Sequence, residues 1–348
     1  MARGQGSGWA PGGGARTCVA FALLLVLLAG LLVANLCVGS VAIPLGELAR
    51  VLTHPEGTQT ATQVVWGIRL PRLLAAGLLG GALGLAGLLL QTLFANPIAG
   101  PFVLGISSGA KLCVAMLLVS AAGTMGALSA WMTMAAAFVG ALIAMVLVLA
   151  VSARTTLASV LVVAGVMIGY LCNAATDLLV TFASDANIVN LRNWSLGSFS
   201  GTAWGEVGIM ALVVLACLAC ALALAKPMGA YAQGEAYAQS VGVDVRRFRV
   251  ATILLSSLLA ACVTAFAGPI SFVGIAVPHL ARRLLATARP LALVPATFLA
   301  GSVFCLACDL VARNAFAPTE VSVSTITALV GAPMVVWVLL RRERGDVA

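Results

Sequence analysis

The feature that most constrains this chain is a series of apolar runs, each long enough to cross a lipid bilayer. Apolar residues make up 62% of the sequence, and Asp, Glu, Lys and Arg together make up 9%. Soluble domains carry about 25% charged residues, whereas a helix crossing the hydrocarbon core needs about 20 consecutive apolar residues. The sequence therefore predicts an all-α polytopic membrane protein and excludes soluble classes.

Ten such runs predict ten transmembrane helices. The first run has 21 residues, which favours an uncleaved span over a signal peptide, whose apolar region has about 7–15 residues. We predict a disordered cytoplasmic tail over residues 1–16, one transmembrane domain over 17–342 and a cytoplasmic tail over 343–348. The predicted spans are 18–38, 71–91, 101–120, 127–151, 157–180, 206–225, 250–267, 270–286, 291–311 and 322–340.

The distribution of basic residues predicts the orientation. With the N-terminus in the cytosol, 13 of the 19 Lys and Arg residues are cytosolic, five are outside and Lys111 lies within a span. Lys and Arg concentrate in cytoplasmic loops, so both termini are expected in the cytosol. The polar island, Lys226–Arg249, then also faces the cytosol between two apolar runs. We expect this segment to contact a cytosolic partner.

One face of the second span is lined with glycine. Gly80, Gly84, Gly87 and Gln91 follow one another at spacings of four, three and four residues, which places them on the same side of a helix. Small residues let helix backbones approach closely in a bilayer. The pattern indicates a packing face, with pathway lining as the alternative, and Gln91 is expected to hydrogen-bond across helices.

The fifth span carries a second series, Gly165, Gly169, Asn173 and Asp177, at steps of four. A carboxylate within a span usually faces protein or water, because exposing it to lipid is costly. Asp177 is expected near the outer end. Its two interpretations are an interhelical hydrogen bond and a lining position in a pathway.

Several arginines are predicted on the outside, where basic residues are least expected. Asp309 and Arg313 share a helix face at a spacing of four, which favours a local ion pair. Arg69 and Arg72 emerge at the start of the second span. These arginines are expected to bind lipid phosphate or to hold an acidic partner through bidentate pairs.

Catalytic and metal-binding patterns are absent from the sequence. Its two histidines are His54 and His279, and Cys305 and Cys308 are interpreted as packing residues rather than a metal or redox pair. The stretch 105–111, GISSGAK, departs from the phosphate-loop spacing and opens an apolar run. We therefore expect no catalytic residues, metal or cofactor in this chain, and no ATP hydrolysis by it.

Taken together, several motifs resemble the FecCD permease family, the membrane subunits of type II ABC importers for iron–siderophores, haem and cobalamin. They occur in family order over residues 20–342. They are RLPR at 69–72, Gln91 with NPIA at 96–99, LGISSGA at 104–110, Trp194 with Gly197-Ser198, GEA at 234–236, VGV at 241–243, GPISFVG at 268–274, Pro278-His279 with Arg282, Asp309, Arg313, and TALVGAP at 327–333.

The resemblance implies a type II ABC importer permease fold with ten helices. It also implies partners: a second permease copy or paralogue, two cytosolic ATPase subunits that bind ATP and Mg, an extracytoplasmic substrate-binding protein and membrane lipid, but no nucleic acid. The implied site residues are Gly234, Glu235, Ala236, Gly242 and Arg246 for ATPase coupling, Arg69, Arg72 and Arg313 for docking of the binding protein, Ala158 and Ser159 for the inner gate, the fifth-span series for the pathway, and Asn96 and Pro97 for structure.

The implied function is uptake of an iron–siderophore across the cytoplasmic membrane. Haem, cobalamin and an ion-coupled secondary carrier are the alternatives, and homodimer and heterodimer both stay open. The chain departs from the family at residues 320–324, where Glu-Val-Ser-Val-Ser replaces Glu-Leu-Pro-Val-Gly. This change puts the start of the last span in doubt. Lys111 is a second departure.

Overall fold

The structure is a computed structural model that describes residues 13–39, 41–53, 60–120, 129–155 and 158–345. Within these ranges every regular element is helical. The helices are α1 Gly13–Cys37, α2 Leu45–Thr53, α3 Thr60–Val64, α4 Leu70–Leu93, α5 Ile106–Ser120, α6 Ala130–Ser152, α7 Ala158–Thr181, α8 Asp185–Ser195, α9 Trp204–Ala223, α10 Ala225–Tyr231, α11 Glu235–Ser240, α12 Val245–Ala267, α13 Val273–Leu285, α14 Pro290–Asn314 and α15 Val323–Gly345. A π-helical turn, Val65–Arg69, leads into α4.

Each of the ten predicted spans corresponds to one of these helices. In the described part of the chain, seven helices are long and apolar enough to cross a membrane, and α5 and α15 are shorter apolar helices. The predicted disordered tail is too long, whereas the cytoplasmic location of both tails stays a prediction, and residues 1–12 and 346–348 lie outside the described residues. Residues 13–16 already belong to α1, and α15 continues to residue 345. His54 lies outside the described residues.

Helix α4 lies at the centre of the bundle. It packs against α9, α12, α13 and α14, and nearly all of its residues are buried. An apolar helix buried on all sides must be surrounded by other helices, so α4 forms the core on which the rest of the bundle is placed. A second apolar cluster is built from α5, α6, α7 and one face of α12.

The eighth predicted span, 270–286, begins three residues late as a helix. Residues 268–272 precede α13 without regular structure, and Gly268 and Phe272 have φ angles of 74° and 66°. Non-helical backbone is tolerated at membrane depth only where protein or water surrounds it. The turn at residues 194–197 and helix α15 supply those surroundings: an added methyl group at Gly268 would lie 2.6 Å from the Trp194 carbonyl oxygen, and the Ser271 amide donates to the Ser324 hydroxyl at 3.4 Å.

The start of α15 resolves the doubt raised by the departure at residues 320–324. Ser322 immediately precedes α15, and its hydroxyl accepts a hydrogen bond from the Thr325 amide at 3.3 Å. Serine at this position satisfies an amide that the helix itself leaves unpaired. The chain therefore begins this helix with a serine cap in place of the family's proline and glycine.

Candidate functional site

The polar island folds into a compact unit of two short helices, α10 and α11, that leads directly into α12. Gly234 precedes α11 with φ 122° and Gly242 follows it with φ 85°, angles that glycine adopts without strain. Ala238 is fully buried and holds α11 against the bundle. The bundle end that carries this unit is called the island end below.

The five predicted coupling residues lie together on the exposed side of this unit. Gly234, Glu235, Ala236, Gly242 and Arg246 are all exposed. Tyr237 and Val241 are half exposed beside them. This combination of charged and apolar side chains on a short helix is suited to a protein partner. Coupling itself stays a prediction.

Two contacts attach the island to the bundle. The Tyr231 hydroxyl donates to the Leu93 carbonyl oxygen at the end of α4, at 3.3 Å. On the other side, Arg249 lies 3.6 Å from the Glu235 carboxylate and donates to the Thr155 carbonyl oxygen at 3.3 Å. The island therefore bridges α4 and the α6–α7 connection, and a force on α11 reaches both.

Gln91 connects α4 to α13 near the island end. Its side-chain amide donates to the Ile275 carbonyl oxygen at 3.1 Å, and its oxygen accepts from Arg282 at 3.1 Å. Gln91 and Arg282 also line a cleft of about 440 Å³ between the island, α4 and the start of α14. The predicted interhelical hydrogen bond of Gln91 is thus present in the structure.

The α4 glycines form the predicted packing face. A methyl group at Gly80 would lie 2.6 Å from the Gly301 carbonyl oxygen, and one at Gly84 would lie 2.9 Å from that of Thr297. Gly87 lies against the backbone of Gly274 in the same way. Backbones at this separation leave no space for a side chain, so these residues fix the position of α4 against α13 and α14.

Asn96 and Pro97 form the turn that follows α4. The Asn96 side chain accepts a hydrogen bond from the Ile98 amide at 3.1 Å, which is a local turn motif typical of asparagine. The Pro97 carbonyl oxygen lies 2.8 Å from Nε2 of His279. His279 therefore has a structural contact to this turn.

At the opposite end of the bundle, Arg72 forms a buried ion network. Its guanidinium contacts Asp309 through two nitrogens, at 2.7 and 3.1 Å, and also pairs with Glu320. Asp309 is 1% exposed, whereas the Glu320 side chain is 39% exposed. The predicted pair between Arg313 and Asp309 is present at 3.5 Å.

The other outer arginines also have partners within the chain. Arg313 donates to Oδ1 of Asn35 at 2.7 Å, and Arg69 donates to the carbonyl oxygens of Leu36 and Val41. Lipid phosphate is thus not needed to explain these charges. Docking of an acidic partner through them stays a prediction, and the partner would have to compete with Asp309, Asn35 and the carbonyl groups.

The α7 series does not share one face. Gly165 and Gly169 are buried against the backbone of residues 103–105, whereas Asn173 and Asp177 are exposed. A step of four residues turns an α-helix by about 400°, so each step rotates the position by about 40°. Treating the four residues as one pathway-lining set was wrong for the two glycines, which pack α7 on α5 and the turn before it.

The exposed side of α7 differs from that of other helices. It carries Tyr170, Asn173 and Asp177 among apolar residues, and Ser159 is exposed near its start. The structure describes the backbone of Ala158, which begins α7. By contrast, the exposed large side chains of α1 are Val19, Leu23 and similar residues.

Three contributors were missed in the sequence. Asn35 is a polar residue in the first apolar run, Glu320 was considered only as part of the departure, and Arg154 was counted only as a cytosolic charge. The isolated polar residue in an apolar run was a usable signal for Asn35. No sequence signal links Arg72 to Glu320, because 248 positions separate them.

Comparisons with known proteins agree with this architecture. The vitamin B12 import system permease protein BtuC of Klebsiella pneumoniae is 34% identical, with 93% of this chain and 94% of that protein covered. The hemin transport system permease protein HmuU of Yersinia pestis is 33% identical (94% and 96% covered). The achromobactin transport system permease protein CbrC of Dickeya dadantii is 34% identical (93% and 91% covered).

A solved structure shows the same fold. It describes an inward-facing conformation of a metal-chelate type ABC transporter, with a TM-score of 0.81 and 27% identity over 93% of this chain and 99% of that one. The chain thus has the type II ABC importer permease fold. Because the FecCD transport family matches residues 24–341, nearly the whole sequence, this chain is a member of that family and a membrane permease of the ABC importer class.

Proposed function

We propose that this chain imports an iron–siderophore across the cytoplasmic membrane by alternating access, driven by two separate ATPase subunits. The observation that carries the proposal is the folded island, in which Tyr231 of α10 contacts the end of α4, and Arg249 of α12 joins Glu235 of the exposed α11 to the α6–α7 connection. Because a partner that moves α11 moves both attachments, this geometry suits the transmission of force.

The continuity of α12 supports the same role. This helix begins within the island at Val245 and extends without interruption to Ala267. It packs against α4, α6 and α9. A ligand or partner shifts an equilibrium only by binding the two states differently, so the ATPase must contact α11 differently before and after hydrolysis. We propose that Glu235 and Arg246 form that contact.

The orientation and the partners belong to the same proposal. The bias of Lys and Arg places the island end in the cytosol with both termini. ATP and Mg would be bound by the ATPase subunits. A second copy or a paralogue of this chain would complete the permease, and an extracytoplasmic binding protein would deliver the cargo to the opposite end.

The exposed side of α7 is the proposed wall of the pathway. Exposing an ionisable side chain to lipid is costly, and Asp177, close to the end of α7, is exposed rather than paired within the described part of the chain. An aqueous pathway would remove that cost. Asn173 and Tyr170 would lie along the same wall, with Ser159 at its island end.

The proposed cargo follows from the polar groups of α7 rather than from the relatives. The three relatives named above carry vitamin B12, hemin and achromobactin in their names at 33–34% identity, so overall similarity does not discriminate between them. The polar groups on α7 support a hydrophilic iron chelate over haem, which is largely apolar. Cobalamin and haem are the alternatives.

Proteoliposomes containing the permease, its ATPase subunits and its binding protein would test the proposal. We expect ATP-dependent uptake of a ⁵⁵Fe-labelled siderophore that exceeds uptake of labelled haem and cobalamin. Preference for one of those two would overturn the cargo. An ion-coupled carrier predicts uptake that survives without the ATPase and stops when the ion gradient is dissipated, which would overturn the mechanism.

Charge reversal tests the coupling residues. Glu235→Lys combined with Arg246→Glu is expected to abolish ATP-driven uptake while the permease dimer still assembles, because both side chains are exposed. Arg247→Glu is the matched control, since Arg247 is 89% exposed and pairs with Asp244 in its own helix turn. Full uptake by the double variant would show that coupling uses other residues.

A further inference from the structure

A second cleft opens beside α11, on the side away from α4. Its volume is about 430 Å³. The end of α6, the exposed helix α11 and the first turns of α12 form its walls. Its lining residues are Ser152, Ala153, Arg154, Thr155, Glu235, Gln239, Val245, Arg246, Arg249 and Val250.

The lining carries an excess of positive charge. Three arginines, Arg154, Arg246 and Arg249, face one carboxylate, that of Glu235. Arg249 is already engaged by Glu235 and by the Thr155 carbonyl oxygen. Arg154 and Arg246 are exposed, and neither forms an ion pair with any residue that the structure describes. Two guanidinium groups are therefore available to an anion.

A buried hydroxyl adds a second, independent feature. Ser152 lines the same cleft and is 8% exposed. Its Oγ atom has no hydrogen-bond partner within the described part of the chain. Buried polar atoms without a partner are uncommon and require an explanation. An acceptor that enters the cleft would supply the missing partner.

We infer that this cleft receives an acidic side chain, Asp or Glu, from the ATPase subunit. The inference rests on the proposed function and adds the chemistry of the contact. A carboxylate accepts bidentate hydrogen bonds from arginine, and it can also accept from a serine hydroxyl. Because α11 is one wall of the cleft, any protein that docks on α11 also covers Arg154 and Arg246.

The position of the cleft also explains how an ATPase carboxylate bound there would affect the permease helices. Arg154 follows the end of α6, Arg246 lies in the first turn of α12, and Glu235 begins α11. A single carboxylate between the two arginines would link the end of α6 to the first turn of α12, while the Glu235 carboxylate stays paired with Arg249. Its withdrawal would leave the two arginines without a counter-charge, and like charges repel. The cleft is thus a point at which the ATPase fixes or releases the relative positions of α6 and α12.

Zero-length cross-linking tests the chemistry directly. In the complex with the ATPase, reconstituted in nanodiscs, Arg154→Lys or Arg246→Lys supplies an amine that a carbodiimide joins to a carboxylate as an amide. We expect mass spectrometry to find a cross-link from each of these positions to one Asp or Glu of the ATPase. Arg247→Lys is the control, because Arg247 is next in sequence but does not line the cleft. Equal cross-linking at all three positions, or none at any, would overturn the inference.

Charge reversal gives an independent measurement. Arg154→Glu and Arg246→Glu are each expected to weaken ATPase binding by about tenfold or more. The difference in affinity from the wild type should shrink at high salt, because salt screens the charges. Arg247→Glu should bind the ATPase like the wild type. If these variants, purified in detergent, instead lose bound phosphatidylglycerol in native mass spectrometry and keep the ATPase, the cleft is a lipid site and the inference is wrong. Failure of the wild-type chain to bind any ATPase would overturn the proposed function itself.

Discussion

Replacing Gly87 with alanine would add one methyl group at the contact between α4 and α13. That methyl carbon would lie 1.7 Å from the Gly274 carbonyl oxygen and 2.5 Å from its carbonyl carbon. Heavy atoms in contact are normally more than about 3 Å apart, and carbon atoms about 3.5–4.0 Å, so the two backbones would have to separate by about 1.5 Å. The Gly274 carbonyl oxygen also accepts a weak hydrogen bond from Gln91 at 3.4 Å, and this contact would be lost.

Neighbouring residues prevent α13 from moving away from α4 to make room for the methyl group. The ring of Pro101 lies on the other side of Gly274, where an added methyl would be 2.7 Å from its Cδ. Overpacking a filled core costs about 1–3 kcal/mol, and alanine in place of glycine within a helix returns about 1 kcal/mol. We therefore expect Gly87→Ala to lower the free energy of unfolding by up to about 2 kcal/mol, and to lower uptake because the Gln91–Arg282 contact shifts.

The matched control is Gly77→Ala, ten residues earlier in α4. A methyl group there would have no atom within 4 Å, so its expected effect is a gain of about 0.5–1 kcal/mol. Unfolding in detergent can be followed with a fluorogenic maleimide, because Cys262, Cys305 and Cys308 are buried and become reactive when the bundle opens. If Gly87→Ala unfolds at the same temperature as Gly77→Ala, the close approach of α4 and α13 is refuted.

Three further predictions use other parts of the chain. Asp309→Ala should destabilise the protein by about 3–5 kcal/mol, because it leaves the buried Arg72 without its main partner; an unchanged midpoint of thermal unfolding would contradict this. Gly234→Ala should strain the turn before α11 by about 1–3 kcal/mol, lowering ATP-driven uptake while the amount of assembled permease stays normal; equal uptake per assembled permease would show that the turn tolerates a side chain. Ser322→Ala should cost about 1 kcal/mol through loss of the α15 cap, and Ser322→Asn should restore it in the same unfolding assay; failure of this rescue would indicate that the cap is not the cause.

The sequence predicted the helices well because lipid imposes a simple requirement. A backbone in hydrocarbon must satisfy its own hydrogen bonds, and an apolar run of sufficient length does so as a helix. The glycine face of α4 followed from spacing alone. The local pair of Asp309 and Arg313 was also predictable, since both residues lie on one helix.

Contacts between residues far apart in the sequence were harder to predict. Glu320 pairs with Arg72 across 248 positions, and the Asn35 side chain reaches Arg313 across 278. Such pairs depend on how the helices are arranged relative to one another, and the periodicity of the sequence carries no information about that arrangement. The prediction that the four α7 residues share one face was wrong for a different reason. Each step of four residues rotates the position by about 40°, and this rotation accumulates along the helix. Repeated steps of four therefore drift off one face within about three turns, whereas the alternating steps of four and three in α4 stay on it.

The position of α12 between the two apolar clusters has a mechanical consequence. Leu259, Cys262 and Val263 belong to the cluster around α4, whereas Ala260, Ala261 and Ala265 belong to the cluster of α5 and α6. Ridges of alanine are shallow, so helices packed on them interlock less than helices packed on leucine. Small sliding of packed helices is one of the standard modes of domain motion. The stretch Ala260–Ala265 thus presents a shallow surface to the cluster of α5 and α6, and movement along it would have to release only the larger α12 side chains in that cluster, such as Ile253 and Phe266.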